Sequence, residues 1–314
     1  MSEFEPAYLE LLRSGELKRR VEEAHSMLEE CRLCGRECRV NRLESVKGAV
    51  CRTGEKAVVS SFNAHFGEEA PLVGQNGSGT IFFTNCNLKC QFCQNYEISQ
   101  LAEGREGSPD EIAAMMLHLQ SQGCHNINFV SPTHVIPQIM AALLIAAEKG
   151  LQVPLVHNTG GYDSLEALRL LDGIVDIYMP DMKYADEKVG RRYSKVKEYP
   201  QVNQAAVREM HRQVGDLVMD EQGVALQGLL IRHLILPNGL AGTAQIVKFL
   251  AEEISPETYL NVMSQYRPMH KAHEYPRINR PPTMEELQEA VTLAHEAGLT
   301  RLDERRPRLA WLFR

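Results

Sequence analysis

Residues 79–96 read GTIFFTNCNLKCQFCQNY, an apolar run followed by three closely spaced cysteines. Cys86, Cys90 and Cys93 form a C-x3-C-x2-C pattern on a loop directly after a predicted strand. Iron–sulfur clusters are normally held by four cysteine thiolates. Three thiolates on one tight loop would therefore leave one iron of a cubane open to a small molecule. A structural zinc ion is the alternative, but it usually takes four protein ligands, and this loop carries no fourth cysteine or histidine.

A second group of cysteines lies nearer the N-terminus. Cys31, Cys34, Cys38 and Cys51 follow the spacing C-x2-C-x3-C-x12-C. Four thiolates at this spacing suit either zinc or a second iron–sulfur cluster, and the sequence leaves both open. Such clustering favours metal ligation in a reducing compartment over disulfides. The remaining cysteine, Cys124, is predicted to be an inert core thiol, because free cysteine is among the most buried residue types.

Composition excludes several classes of protein. The chain has 314 residues, of which 44% are hydrophobic and 24% charged, as in soluble globular proteins. Its net charge of −7 argues against nucleic acid or an anionic membrane as a partner. Residues 1–6 lack the features of a signal peptide, and the longest apolar run, residues 139–147, is far shorter than the ~20 residues of a membrane span. We therefore expect a cytoplasmic protein that contacts neither nucleic acid nor membrane.

The hydrophobic pattern predicts two domains. Residues 1–55 would comprise an N-terminal helix over 7–30 and a metal-binding knuckle with four cysteines, and residues 56–314 an α/β domain with a C-terminal extension. In the second domain strands alternate with helices, which predicts a parallel sheet with helices outside it. Six such units are two short of a complete (β/α)8 barrel. The predicted strands are 81–84, 126–130, 152–156, 174–179, 229–236 and 259–263.

The three-cysteine motif, with Phe92 between its last two cysteines, resembles that of the radical S-adenosylmethionine (SAM) superfamily. Over about residues 31–302 the chain is similar to the glycyl-radical-activase branch, that is, to proteins like pyruvate formate-lyase activating enzyme. The resemblance implies a partial (β/α)6 barrel and a [4Fe–4S] cluster held by Cys86, Cys90 and Cys93. It also implies reductive cleavage of SAM, whose 5′-deoxyadenosyl radical then abstracts hydrogen from a substrate. Phe92 is implied to pack near the cluster and the adenine.

Two strand ends resemble cofactor-binding motifs of the activases. Residues 157–162, HNTGGY, resemble their Asp-Thr-Asn-Gly, and residues 178–183, YMPDMK, resemble their Met-x-Asp-x-Lys. The resemblance implies that these ends hold a monovalent cation and the SAM carboxylate. The residues concerned are Asn158, Thr159, Met179, Asp181 and Lys183. Because Asn158 stands where the activases have an acid, the predicted cation site is weakened.

Other predicted contacts rest on weaker patterns. The second predicted strand ends without the Gly-Gly-Glu of the family, so Ser131 and Thr133 are candidate acceptors for the SAM amino group. Gln265, after the last predicted strand, is a candidate contact to SAM or substrate. Arg232 and His233 interrupt an apolar strand, and we expect Arg232 to face the barrel lumen.

These features predict a radical SAM enzyme that acts on a protein or peptide, by glycyl-radical activation or by another modification. An electron donor such as flavodoxin or ferredoxin would be a second partner. One alternative is a radical SAM enzyme acting on a small molecule, and another is a non-enzymatic metal-binding or electron-transfer module. Asp181, Lys183 and the six-strand pattern argue against the module, because electron transfer alone needs no SAM pocket.

Overall fold

The computed structural model describes residues 4–303. Residues 1–3 and 304–314, the latter being the end of the predicted C-terminal extension, lie outside the described residues. The strands are Ala57–His65 (β1), Ser78–Phe83 (β2), Arg105–Gly107 (β3), Ile127–Val130 (β4), Leu155–Thr159 (β5), Ile177–Pro180 (β6), Val218–Met219 (β7), Ala225–Leu234 (β8) and Tyr259–Met263 (β9).

Helices separate most of the strands. They are Tyr8–Ser14 (α1), Glu16–Ser26 (α2), Ala70–Val73 (α3), Tyr96–Ser99 (α4), Pro109–Ser121 (α5), Ile136–Glu148 (α6), Leu165–Leu170 (α7), Glu187–Ser194 (α8), Tyr199–Val214 (α9), Thr243–Phe249 (α10) and Met284–Glu296 (α11). A π-helical turn at Leu250–Ile254 continues α10. Short 3-10 turns lie at Thr133–Val135, Pro237–Gly239, Ala272–Glu274 and Pro276–Ile278. No helix among residues 4–303 is long and apolar enough to cross a membrane.

Six strands run parallel and in chain order: β2, β4, β5, β6, β8 and β9. Strand β1 pairs antiparallel with β2 and carries β3 on its other edge, while the short β7 pairs antiparallel with β8. The prediction of a mixed α/β fold with a parallel sheet is therefore confirmed. The carboxyl ends of the parallel strands lie together at one end of the sheet, where such folds place their active residues.

Several predicted boundaries were wrong. The third predicted strand, 152–156, is instead Leu155–Thr159, and the fourth, 174–179, is Ile177–Pro180. Strand β5 runs on into His157, Asn158 and Thr159, whose polar side chains find partners inside the protein, so the apolar pattern ends before this strand does. Strand β6 begins later than predicted because the apolar Ile174 and Val175 belong to the turn that precedes it. The predicted helix over 7–30 is two helices, because Gly15 adopts a left-handed conformation with φ 79° and ends α1.

The sheet separates two apolar regions. Tyr178 of β6 packs into the large core shared with helices α5 and α6, whereas its neighbours Ile177 and Met179 pack into a smaller cluster with Val156 and Leu230. Alternate residues of a strand point to opposite faces, so the smaller cluster marks the inner face of the sheet. Asp181 follows Met179 by two residues and continues this inner face.

The N-terminal segment packs on the same core. Leu17, Ala24 and Leu28 are fully buried in the cluster that contains the outer face of the sheet and helix α6. The segment is thus attached to the sheet by apolar burial, and the knuckle that follows it is held close to the strand ends.

Candidate functional site

The loop after β2 carries the three cysteines and is hydrogen-bonded to the end of helix α8. The backbone N–H of Lys89 donates to the carbonyl of Ser194 at 3.0 Å, and that of Gln91 donates to the carbonyl of Tyr193 at 2.7 Å. Ser194 Oγ lies 2.9 Å from Cys90 Sγ, and Ser99 Oγ lies 3.1 Å from Cys93 Sγ. Hydrogen bonds to cluster sulfurs help to set the reduction potential of iron–sulfur centres, so these two hydroxyls are placed to do so here.

A cavity of about 330 Å³ opens beside this loop. All three cysteines line it, together with the ends of strands β4, β5 and β6. Eight of the residues singled out in the sequence meet here: Cys86, Cys90, Cys93, Ser131, Asn158, Thr159, Asp181 and Lys183. Arg232 of β8 also lines the cavity, as expected for the residue facing the lumen. His233 points away and bonds the Met182 carbonyl at 2.8 Å.

Buried charges of alternating sign lie along the cavity. Lys183 Nζ lies 2.5 Å from Asp181 Oδ2, and Arg232 Nε donates to Asp181 Oδ1 at 2.9 Å. Arg232 Nη1 in turn lies 3.9 Å from Glu68 Oε2. Burial by itself would raise the pKa of Asp181, but the charges of Arg232 and Lys183 hold that pKa below its usual value. Asp181 therefore stays ionised between two cations.

Lys183 also acts on the cysteines. Burial raises the pKa of the Cys90 thiol to about 12, and the charge of Lys183 opposes this rise. Burial would lower the pKa of Lys183 itself, but Asp181 and then Cys90 outweigh burial and raise it. Metal-ligating thiols must be deprotonated, so a permanently charged Lys183 favours the thiolate form at this loop.

A second network lies beneath the cavity and fixes its floor. The buried carboxylate of Asp163 accepts from Thr133 Oγ1 at 2.8 Å and from Thr159 Oγ1 at 2.7 Å, and it lies 3.1 Å from His157 Nε2. Thr133, for which a contact with the SAM amino group was predicted, is not among the residues that line the cavity, and its hydroxyl donates to Asp163. Thr133 Oγ1 also lies 2.8 Å from Thr159 Oγ1.

Three more predicted residues lie outside the cavity lining. Phe92 is buried with its ring edge against Tyr266, at 5.4 Å between centroids. Met179 is fully buried in the inner apolar cluster. Gln265 is exposed, and only its backbone carbonyl is engaged, by Gln94 Nε2 at 2.9 Å. Gln265 lies two residues beyond the end of β9 and is not among the residues that line the cavity.

Sequence reasoning missed some residues of the site. His65, the last residue of β1, and Glu68, three residues further on, line the cavity from a part of the chain that precedes the cysteine motif. The signal that could have found His65 is the alternation of apolar and polar residues over 62–65, whereas no pattern marks Glu68. Asp163 could have been found as the single acid directly after the polar end of β5. Ser194 lies on a polar helix and had no distinguishing pattern.

The knuckle cysteines lie near one another and next to the cluster loop. Cys31, Cys34 and Cys51 are buried and Cys38 is half-buried, all as free thiols. Burial raises the pKa of Cys34 to about 12, and the neighbouring Cys51 and Cys31 add to this effect. The buried guanidinium of Arg42 lies 3.6 Å from Cys31 Sγ and donates to the Thr53 carbonyl at 2.6 Å.

Contacts connect the knuckle to the loop of the first cysteine motif. Arg36 Nε donates to the Asn87 carbonyl at 2.6 Å, and Arg52 Nη2 donates to Asn85 Oδ1 at 3.2 Å. Within residues 4–303, no three His, Cys, Asp or Glu side chains are arranged as the ligands of one metal ion, either in the knuckle or elsewhere. The ligands of a cubane are spread around several irons rather than around one ion.

Comparison with known proteins identifies the family to which this chain belongs. The sequence profile of the Radical SAM superfamily matches residues 80–221. An uncharacterized protein of Methanocaldococcus jannaschii, MJ0674, is 36% identical over 301 residues, which cover 93% of this chain and 82% of that protein.

Two solved structures are similar at lower identity. A radical SAM methyltransferase from Sphaerobacter thermophilus gives a TM-score of 0.46 at 12% identity, covering 70% of this chain and 64% of the other. Streptococcus suis SuiB bound to its precursor peptide SuiA gives 0.47 at 14% identity, covering 69% of this chain and 45% of SuiB. The chain thus spans less than two thirds of either of these two proteins.

This chain belongs to the radical SAM superfamily. Membership implies an enzyme that uses a [4Fe–4S] cluster and SAM. The residues present fit both groups: three thiols converge on one cavity, serine hydroxyls stand beside two of them, and buried cations lie within the same cavity. Cys86, Cys90 and Cys93 would hold the cluster, and the strand ends beside them would hold SAM.

Proposed function

We propose that this chain is a radical SAM enzyme that abstracts hydrogen from a protein or peptide, in the manner of pyruvate formate-lyase activating enzyme. The proposal is carried by one observation: the cysteine loop and the strand ends at Asn158, Thr159, Asp181 and Lys183 line the same cavity. We infer that the six parallel strands curve into a partial (β/α)6 barrel around it. Flavodoxin or ferredoxin is the proposed class of electron donor.

The residues of the chain have separate tasks in this mechanism. The cluster and SAM, when bound, supply the radical that abstracts hydrogen, and the protein positions them and excludes water. Lys183 favours the thiolate state of the cysteine loop and, with Arg232, provides positive charge for the SAM carboxylate. Ser131 lies at the end of β4 with its backbone N–H bonded to the Asn158 carbonyl at 2.9 Å, so its hydroxyl is a candidate partner for the SAM amino group.

The size of the cavity favours a large substrate. A volume of about 330 Å³ is near the lower end for pockets that enclose one drug-sized ligand, roughly 300–1,000 Å³. With SAM inside, little room is left to enclose a second molecule. A protein or peptide that stays outside and inserts one group fits this geometry, and the motifs at residues 157–162 and 178–183 resemble those of enzymes that act on proteins. A small-molecule substrate is the competing proposal.

The experiment separates these possibilities. Anaerobically reconstituted protein is incubated with SAM and a reductant, and 5′-deoxyadenosine is measured by mass spectrometry. An anaerobic extract of the native host, divided by mass into protein and small-molecule fractions, is then added. We expect a low basal rate of cleavage that rises with the protein fraction, because a bound substrate consumes the radical productively.

Each other outcome contradicts part of the proposal. Stimulation by the small-molecule fraction alone would replace the peptide substrate with a small one. No cleavage of SAM by protein that contains its full iron would reduce the chain to a metal-binding module. Protein carrying Cys90→Ala, treated in the same way, provides the background rate.

We also propose that Cys31, Cys34, Cys38 and Cys51 hold a second metal centre, either zinc or an auxiliary iron–sulfur cluster. The support is the C-x2-C-x3-C-x12-C spacing of the four cysteines, the burial of three of them and the positive charge that Arg42 places beside Cys31. A thiol must lose its proton to bind metal, so the guanidinium of Arg42 beside Cys31 would stabilise such a centre.

Metal analysis of anaerobically purified protein tests the second centre. About four irons with about one zinc would identify a structural zinc, and about eight irons an auxiliary cluster. Changing Cys51→Ser is expected to remove only the second metal, since Cys51 lies outside the motif of the first cluster, while Cys124→Ser should remove neither. About four irons and no other metal in the native chain would contradict a second centre.

A further inference from the structure

Arg232 lies at the centre of the polar contacts in the cavity. Its Nε donates to Asp181 Oδ1 at 2.9 Å and its Nη2 to Asn158 Oδ1 at 2.7 Å, so the guanidinium bridges the ends of β5 and β6 from β8. Its side chain is 17% exposed, against 10% for Asp181. The bridge is therefore a buried ion pair reinforced by an amide oxygen.

These contacts occupy the oxygens that a metal cation would need. The resemblance to the activases implies that Asn158, Thr159, Met179, Asp181 and Lys183 hold a monovalent cation and the SAM carboxylate. One carboxylate oxygen of Asp181 accepts a hydrogen bond from Arg232, and the other accepts one from Lys183. The amide oxygen of Asn158 also accepts from Arg232. Thr159 Oγ1 donates to Asp163, and the Met179 side chain is packed among apolar residues. Small inorganic cations bind through several oxygens at once, and here those oxygens already face a guanidinium or an ammonium.

We infer that the guanidinium of Arg232 takes the place of this inorganic cation, so that SAM binding does not depend on K⁺ or Na⁺. The inference rests on the proposed use of SAM in this cavity. A guanidinium has five N–H donors, and the contacts to Asp181 and Asn158 use two of them. The others can donate to a carboxylate, for which arginine is geometrically suited. Arg232 would thus do two things: hold the strand ends together and bind the carboxylate of SAM.

Ion replacement tests the inference on the native, cluster-loaded protein. The dissociation constant for SAM is measured by calorimetry in KCl and in tetramethylammonium chloride at equal ionic strength, since the second cation is too large to enter the site. We expect the two values to agree within about twofold, because one lost hydrogen bond to a charged group would already cost about tenfold or more. A tenfold weaker affinity in tetramethylammonium would overturn the inference.

The variant Arg232→Ala provides the opposite case. Removing the guanidinium should weaken SAM binding by about tenfold to a hundredfold in tetramethylammonium, and added guanidinium or K⁺ should restore part of it. Crystals soaked in rubidium chloride should show an anomalous peak between Asn158 and Asp181 in the variant and none there in the native chain. Arg191→Ala, an exposed arginine on α8, is the matched control and should leave affinity and ion response unchanged.

The outcomes separate this inference from the proposed function. A native chain that binds SAM only with K⁺, or that binds rubidium at Asn158 and Asp181, refutes the role of Arg232 while leaving the radical SAM proposal intact. A native chain that binds no SAM in either salt refutes both. If Arg232→Ala fails to fold, the two salts and the rubidium soak of the native chain still decide the matter.

Discussion

Replacing Cys90 by alanine is expected to abolish SAM cleavage and to reduce bound iron by about four atoms per chain, the content of one cubane. The motif supplies only three thiolates, and two ligands cannot hold a cluster that needs one iron left open for SAM. The same loss is expected for Cys86→Ala and Cys93→Ala. Iron content and 5′-deoxyadenosine formation, measured on anaerobically reconstituted protein, check the expectation.

Cys124→Ala is the matched control for this series. Cys124 is 2% exposed, against 8% for Cys90, and it packs in the core on the outer face of the sheet. Its loss should leave iron content and SAM cleavage unchanged, at a cost of about 1 kcal/mol in unfolding free energy from lost apolar burial. Full iron content in Cys90→Ala, or loss of the cluster in Cys124→Ala, would contradict the assignment of the three ligands.

Changing Asp181→Asn should lower the free energy of unfolding by about 3–5 kcal/mol, the usual cost of removing one partner from a buried ion pair. The substitution preserves the shape of the side chain but leaves Lys183 and Arg232 buried next to each other without their shared counter-charge. SAM binding should weaken as well, because both cations lose their fixed positions. Denaturant unfolding under anaerobic conditions gives the free energy, and calorimetry gives the affinity.

An exposed ion pair shows what the same change costs elsewhere. Asp172 pairs with Arg212 at the surface, where both side chains are at least 40% exposed. Asp172→Asn should therefore change the free energy of unfolding by only about 0–1 kcal/mol and leave SAM binding unaffected. Equal effects of the two substitutions would show that the charges along the cavity are solvated rather than buried.

Asp181 shows which contacts a local sequence motif predicts and which depend on the tertiary structure. Its place in a stretch that resembles Met-x-Asp-x-Lys, directly after a predicted strand, was enough to predict it at a strand end. Its two cationic partners differ in origin: Lys183 is local, whereas Arg232 is 51 residues further along the chain. The local partner was recognisable as part of a motif, while the distant one was expected only to face the lumen.

The same division applies to two other predicted contacts. Thr133 and Gln265 were assigned to SAM because each stands close to a strand end in the sequence. In the structure the Thr133 hydroxyl donates to Asp163, which lies 30 residues away in the chain. Gln265 is exposed beyond the end of β9. A polar residue near a strand end can satisfy its hydrogen bonds in more than one direction, and only the neighbours brought in by the fold decide which.

The amino-acid sequence by itself determined the three-cysteine loop, the six parallel strands and the polar ends of β5 and β6, because each depends on spacing over a few residues. The tertiary structure decided that Arg232 bridges Asp181 and Asn158, 51 and 74 residues away, and that Glu68 enters the same cavity. Contacts of this kind depend on the order of strands in the sheet and on which side chains are buried together. Local periodicity encodes neither the order of the strands nor which side chains are buried together. The arrangement of charges in the site is therefore fixed only by the assembled sheet.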